Sequence, residues 1–288
     1  MNESNTAPDT TRTPDAPSQD GPSRTMDQDG LELATWGIAA AGKTVLMMQL
    51  YLATRGRESG PWSVIPDKET VPYMKKLRNT MEKERRFPSA TLRESQVPII
   101  YHFQNREDGR RARLQLVDRA GALWEDVDND PELTGQLASA HGVALLVDPI
   151  ENENNFHRLE DTLNALFHAR GNEIGDSRPI ALCLTKADTW IRSWEELVEA
   201  RDDPDTYSRR WLENRDSHSR ILNYLSDHCP NARLFPVSAI GIHARFCHIQ
   251  PAAYFDDRLD SRILPGGEPL NILEPFLWLI EQAGAENE

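Results

Sequence analysis

A strand-like run, LELATW (31–36), passes directly into Gly37-Ile38-Ala39-Ala40-Ala41-Gly42-Lys43-Thr44, and an apolar helical pattern, KTVLMMQLYLATR (43–55), follows at once. This G-x-x-x-x-G-K-[ST] spacing between a strand and a helix constrains the chain more than any other feature of its 288 residues. Each position has a physical job. The N–H groups from Ala39, Ala40 and Ala41 through Gly42, Lys43, Thr44 and Val45 can curl around a β-phosphate. Gly37 and Gly42 permit backbone geometry and close approach that a side chain would block. The helix N-terminus adds partial positive charge. The Lys43 ammonium can reach β- and γ-phosphate oxygens, and the Thr44 hydroxyl can coordinate Mg2+.

Short apolar runs alternate with helical patterns along the rest of the chain. VPIIYHF (97–103) and ARLQLVD (112–118) read as adjacent strands joined by the turn residues NREDGR. GVALLVD (142–148) and PIALCLT (179–185) are unbroken apolar runs, the pattern of parallel strands buried on both faces. NFHRLEDTLNALFHAR (155–170) lies between them as a helix, RLFPVSA (233–239) is a further strand, and LNILEPFLWLIEQAG (270–284) closes the chain as an amphipathic helix. This alternation predicts an α/β fold: a three-layer P-loop NTPase with a mostly parallel central sheet and helices on both faces. Residues 1–29 are rich in Pro, Ser, Thr and Asp with almost nothing to pack, so they read as a disordered tail before one domain over 30–288. Two insertions are expected in it, a helical one near 58–87, ahead of the second core strand and with PWSVI (61–65) as a short-strand candidate before its helix, and one near 240–268.

The formal net charge of −14 repels phosphate backbones and anionic lipid, which argues against nucleic-acid or membrane partners. No apolar run is long enough to cross a membrane, and no basic-then-apolar leader opens the chain. Three cysteines, Cys183, Cys229 and Cys247, are too few for a disulfide framework. A cytoplasmic location is the expectation.

Three later segments bear on which triphosphate is bound. Asp118 ends a buried strand, where it can hold the Mg2+ hydration shell, and Gly121, three residues on, can offer its N–H to the γ-phosphate. Thr185-Lys186-Ala187-Asp188 follows another strand. The Asp188 carboxylate can accept two hydrogen bonds from the guanine ring N–H and exocyclic amine, a donor pair that adenine lacks. The Lys186 stem can lie over the base. Ser238-Ala239 follows the next strand, and the Ala239 N–H can donate to the guanine carbonyl.

In this order the four segments resemble those of the Ras-like GTPases of the TRAFAC P-loop class, and the resemblance spans about 30–284. It implies a molecular switch that binds GTP and GDP with Mg2+. Thr44, Asp118 and a first-switch threonine, best placed at Thr91, would serve the metal. Lys43 and Thr91 would be the catalytic positions. Thr70 and Thr80 are rivals to Thr91 within a helical stretch. More loosely, Phe87-Pro88-Ser89-Ala90-Thr91, the strand ending VDP (147–149) and the LPGGEP…FLWL ending resemble bacterial GTPase domains of predicted conflict and defence systems.

Two departures matter. Thr185 stands where the family usually has Asn. Ala122 follows Gly121 where an efficient enzyme carries the glutamine that orients the attacking water. Intrinsic hydrolysis is therefore expected to be slow, or to depend on Arg86, Arg93 or Arg119, or on a protein effector or activating partner. Two other readings stay open. One is an interaction module with little turnover. The other is a P-loop ATPase in which Asp148 serves the metal, although no glycine follows Asp148 to meet a γ-phosphate.

Overall fold

The computed structural model describes residues 30–38, 40–56, 60–88, 98–117, 131–150, 154–172, 174–215, 218–245, 248–256 and 260–285. In chain order the elements are β1 (Leu31–Gly37), α1 (Lys43–Gly56), β2 (Trp62–Pro66), α2 (Thr70–Arg78) with a π turn (Asn79–Lys83), β3 (Pro98–Asn105), β4 (Arg111–Val117), α3 (Pro131–Ser139), β5 (Gly142–Val147) and α4 (Asn155–Ala169). Next come β6 (Ile180–Leu184), α5 (Trp194–Asp202), α6 (Pro204–Glu213), α7 (Ser219–His228) and β7 (Ala232–Pro236). Five short strands follow, β8 (Ser238–Arg245), β9 (His248–Pro251), β10 (Ala253–Phe255), β11 (Ser261–Ile263) and β12 (Glu268–Leu270), and then α8 (Glu274–Ala285).

Strands β1 to β7 form one sheet in the order β2-β3-β4-β1-β5-β6-β7. The pairs β4/β1, β1/β5, β5/β6 and β6/β7 are parallel, while β3 runs antiparallel to both β2 and β4. The predicted mostly parallel α/β architecture is what forms. Every residue of β5 and of β6 is buried, as strands covered on both faces must be. On β3 the burial alternates, and Tyr101 and Phe103, two residues apart, face the same way. Tyr101 donates its hydroxyl proton to the Met47 carbonyl of α1, and Phe103 packs on Phe276 of α8 at 6.3 Å between ring centroids. Helices α1 and α8 therefore share one face. Helices α3 and α4 pack on each other and reach β1 and β5.

The short-strand candidate 61–65 forms β2 ahead of the helix of the 58–87 stretch, and it lies at the sheet edge beyond β3. Its run WSVIP is β-rich and short, and pairing with β3 satisfies its backbone groups on one side. Helix α2 begins with Thr70, whose Oγ1 accepts the Ile100 N–H of β3, and Pro72 falls in its first turn, where a missing N–H costs nothing. The stretch 240–268 holds a three-stranded sheet, β12-β8-β9, and a β10/β11 hairpin. The two stretches meet: Arg86 bridges to Arg262, and the Ile263 N–H donates to the Arg85 carbonyl. No helix among the described residues is long and apolar enough to cross a membrane.

Candidate functional site

Parallel pairing puts the predicted motifs in one row. Gly37 of β1 is level with Leu146 of β5, Leu146 with Cys183 of β6, and Cys183 with Phe235 of β7. The chain leaves β1 at Gly37, β6 before Thr185 and β7 before Ser238, all at the carboxyl edge of the sheet. Open parallel sheets bind their ligands outside that edge. Neighbouring strands lie about 4.8 Å apart, so the exits of β1 and β6, with β5 between them, are separated by roughly 10 Å.

At the first exit the Ile38 N–H continues the ladder to the Leu146 carbonyl, and the Ala41 N–H turns back to the Ile38 carbonyl. Ala40 (φ 59°) and Gly42 (φ 80°) both adopt left-handed backbone. A Cβ on Gly42 would meet nothing within 4 Å, so conformation rather than crowding selects glycine there. The first helical bond of α1 runs from Leu46 N to Gly42 O, and the N–H groups of Lys43, Thr44 and Val45 precede it. Lys43 is buried, with Nζ 2.7 Å from the Gly37 carbonyl oxygen and 2.9 Å from that of Ile38. The ammonium thus spans the start of the loop. Thr44 and Val45 are half-buried, Ala40 is exposed and Ala41 is fully buried. Ala39 lies outside the described residues.

Gly37 is needed for a different reason. A Cβ there would sit 2.8 Å from Leu146 Cβ and 2.9 Å from the Leu146 carbonyl oxygen, on the neighbouring strand. Gly37→Ala is expected to destabilise the fold by about 1–3 kcal/mol through overpacking, read as a lowered urea midpoint with an unchanged m-value.

At the second exit, Thr185 fastens β6 to β5: its N–H and its hydroxyl both donate to the Val147 carbonyl, at 2.8 and 3.2 Å. The threonine in place of Asn has a clear structural role. Lys186 adopts left-handed backbone (φ 54°), and its ammonium pairs with Asp148 at 2.7 Å. Asp148 also accepts the Ile150 N–H, so this carboxylate, the metal ligand of the ATPase reading, is engaged at the Lys186 turn. Asp188 lies in a short 3-10 turn and accepts a 2.6 Å hydrogen bond from the Ser238 hydroxyl, which in turn accepts the Gly241 N–H at 3.0 Å. Ala239 is half-buried beside it. The structure starts β8 at Ser238, so the expected single strand 233–239 is two strands separated by Val237.

Burial pushes the Asp188 carboxyl above the usual carboxylate range, against the opposing pull of the Ser238 hydroxyl bond and the Lys186 charge. Were Asp188 the base-reading carboxylate expected from the sequence, its protonation would remove an acceptor for guanine. The sign follows: GDP affinity should fall as pH falls through this raised value, approaching about tenfold per pH unit below it. Its onset should lie at higher pH than for an ordinary aspartate. Comparing GDP titrations of the wild type with Asp188→Asn removes the phosphate's own titration, and identical pH profiles would refute the assignment.

Thr70 is wholly buried and bound to β3, which takes one switch rival out of reach of any ligand, and Thr80 is half-buried in the π turn. Arg86 is exposed and sits on the bridge to Arg262. Thr91, Arg93, Asp118, Arg119, Gly121 and Ala122 lie outside the described residues. The Lys186–Asp148 and Ser238–Asp188 contacts had no sequence signal beyond the positions of the strand ends.

A family model, Double-GTPase 2, matches residues 33–232, more than half of the chain. The chain belongs to the Double-GTPase 2 family. A search among curated proteins found none that matches. Membership of a GTPase family implies guanine-nucleotide binding, and the match begins in β1 and ends at the first residue of β7. It thus takes in the Lys43 loop and the Asp188 turn. Ser238 and the small β elements lie beyond it.

Proposed function

We propose that this Double-GTPase 2 protein is a Mg2+-dependent GTP-operated switch of the Ras-like class, selective for guanine and slow to hydrolyse unaided. The observation that carries the reading is the Asp188–Ser238 pair. It holds a carboxylate just past the end of β6, a strand whose Cys183 is level, through Leu146, with Gly37 at the start of the Lys43 loop. In this reading the N–H groups of Ala39 to Val45 and the Lys43 ammonium hold the phosphates. Asp188 reads the base, Lys186 covers it, Thr185 steadies the turn and the Ala239 N–H meets the guanine carbonyl. Gly121 senses the γ-phosphate.

The open room before Gly42 and the position of Thr44 in the first turn of α1 fit a bound nucleotide with its metal. Thr44, Asp118 and Thr91 would hold Mg2+, which when bound neutralises charge on the β- and γ-phosphates. With Ala122 in the water-orienting position, turnover needs help from a partner. The family is named for a double GTPase, and this chain carries one G-x-x-x-x-G-K-[ST] motif, so a second GTPase is the partner to test first. The domain reading is one GTPase domain over 30–288 behind a tail of 1–29, acting in the cytoplasm.

Fluorescent GTP and ATP analogues titrated at matched Mg2+ test the reading. GTP should bind at least tenfold more tightly. Equal affinity, or preference for ATP, overturns it. The absent glutamine also favours a second reading, an interaction module without turnover. Phosphate release that stays at background with every partner tested would select it.

A further inference from the structure

Strand β7 ends the seven-stranded sheet, and side chains close its outer edge. The Asn231 carbonyl accepts the Ile180 N–H of β6, and the Val237 N–H donates to the Leu184 carbonyl, so residues 231 and 237 face β6. Direction alternates along an extended chain, which turns Ala232, Leu234 and Pro236 outward, where no strand can meet them. Each finds a side chain instead, as buried backbone groups must. Arg209 donates to the Ala232 carbonyl at 3.1 Å, Asp205 accepts the Leu234 N–H at 2.8 Å, and Asn271 donates to the Pro236 carbonyl at 2.9 Å.

Asn271 directly follows β12 and is buried. Its Nδ2 also donates to the Ala200 carbonyl of α5, again at 2.9 Å. An amide nitrogen carries two hydrogens, and both are used here. The backbone at Asn271 is left-handed (φ 50°). Glycine would supply that conformation without a donor, and asparagine tolerates it better than other side chains do. Asparagine meets both demands.

The consequence falls on the chain just past β7. Pro236 is two residues before Ser238, and Leu270, the residue before Asn271, pairs with Ser238 between β12 and β8. The Asn271 amide and the Leu270 backbone thus grip the chain on either side of Val237. Val237 itself accepts the Ala187 N–H at 3.0 Å, one residue before Asp188. What is fixed in this way is the position of the Ser238 hydroxyl that donates to Asp188.

We propose that Asn271 is a positioning residue for guanine recognition, setting where Ser238 and Ala239 stand relative to the Asp188 turn. The inference rests on the reading that Asp188 takes the base. It adds a residue that lies beyond the family match.

The test compares fluorescent GTP and ATP analogues on the full chain at matched Mg2+. Asn271→Gly keeps the left-handed backbone and removes both donors. It should lower the GTP-to-ATP affinity ratio about tenfold, the worth of one hydrogen bond to the base, with ATP affinity unchanged. Asp205→Ala is the control: it opens the same edge at Leu234, and should lower the urea midpoint while leaving the ratio as it is. Asn271→Ser, with one donor on a shorter side chain, should also lower the ratio, and it carries the comparison if the glycine variant does not fold. An Asn271 variant that keeps the wild-type ratio, or that loses GTP and ATP affinity equally, overturns the assignment. So does an Asp205→Ala protein whose ratio falls as far. A wild type without guanine preference overturns the base reading itself, and this inference with it.

Discussion

Lys43→Met is expected to abolish triphosphate binding at concentrations that saturate the wild type, while the protein remains folded. The ammonium already lies over the loop entrance, bonded to the Gly37 and Ile38 carbonyls, and it is buried with the loop. In the proposed complex it exchanges these neutral acceptors for phosphate oxygens. Hydrogen bonds to charged groups are worth about 1.5–3 kcal/mol each, so two such bonds correspond to roughly 10²–10⁴ in affinity. Methionine keeps the unbranched stem and so preserves most of the packing, but it takes the ammonium donor from the Gly37 and Ile38 carbonyls, of which Ile38 still accepts the Ala41 N–H. A stability loss of about 1–3 kcal/mol is therefore expected beside the binding loss. Circular dichroism establishes the fold, and a fluorescent GTP analogue reads binding. A folded Lys43→Met protein that binds GTP like the wild type would show that the loop does not hold the phosphates.

Asp188→Asn is expected to remove most of the discrimination between GTP and ATP, with a loss of about 10²–10³ in GTP affinity and little change for ATP. The substitution keeps size and shape. It replaces one acceptor oxygen with an NH2 group that would face a guanine donor, and it removes the charge that strengthens the remaining bond. Buried polar groups left unpaired are what make such discrimination large. The Ser238 hydroxyl can still donate to the amide oxygen, so β8 keeps its anchor and the stability change should be small. Measured GTP-to-ATP affinity ratios that match in the two proteins would place base reading elsewhere. The two variants fail independently: one reports on β1 and its loop, the other on the end of β6.

Much of the fold was legible in the sequence because local periodicity carries it. GVALLV and IALCL are unbroken apolar runs of strand length, and only a sheet covered on both faces accommodates them in succession. The alternation on β3 and the turn NREDGR likewise announced the hairpin with β4. The stretch WSVIP was harder to place: five residues of strand character do not say which strand they will pair with. Similarly, the Pro- and Gly-rich stretch 240–268 gave no sign of its sheet. The partners of β8 are β9 and β12, and the bridge to Arg86 spans most of the chain. Such pairings are decided by which edges are left exposed once the core has formed.

The candidate site divides in the same way. Gly37, Gly42, Lys43 and Thr44 could be read from spacing alone, because a phosphate loop is a local structure that sets its own geometry. Asp188 and Ser238 gained meaning only from their order after strands. The sequence by itself determined an α/β chain with a phosphate loop after its first strand and an aspartate-bearing turn far along it. The tertiary structure alone decided that β1, β5, β6 and β7 run parallel and in register, so that these segments leave the sheet along one edge. It also decided that Lys186 pairs with Asp148, that Ser238 holds Asp188, and that Trp190 packs against Tyr207 and Trp211. Those contacts join residues far apart in the chain, and their energies depend on burial and mutual orientation, which no local pattern encodes.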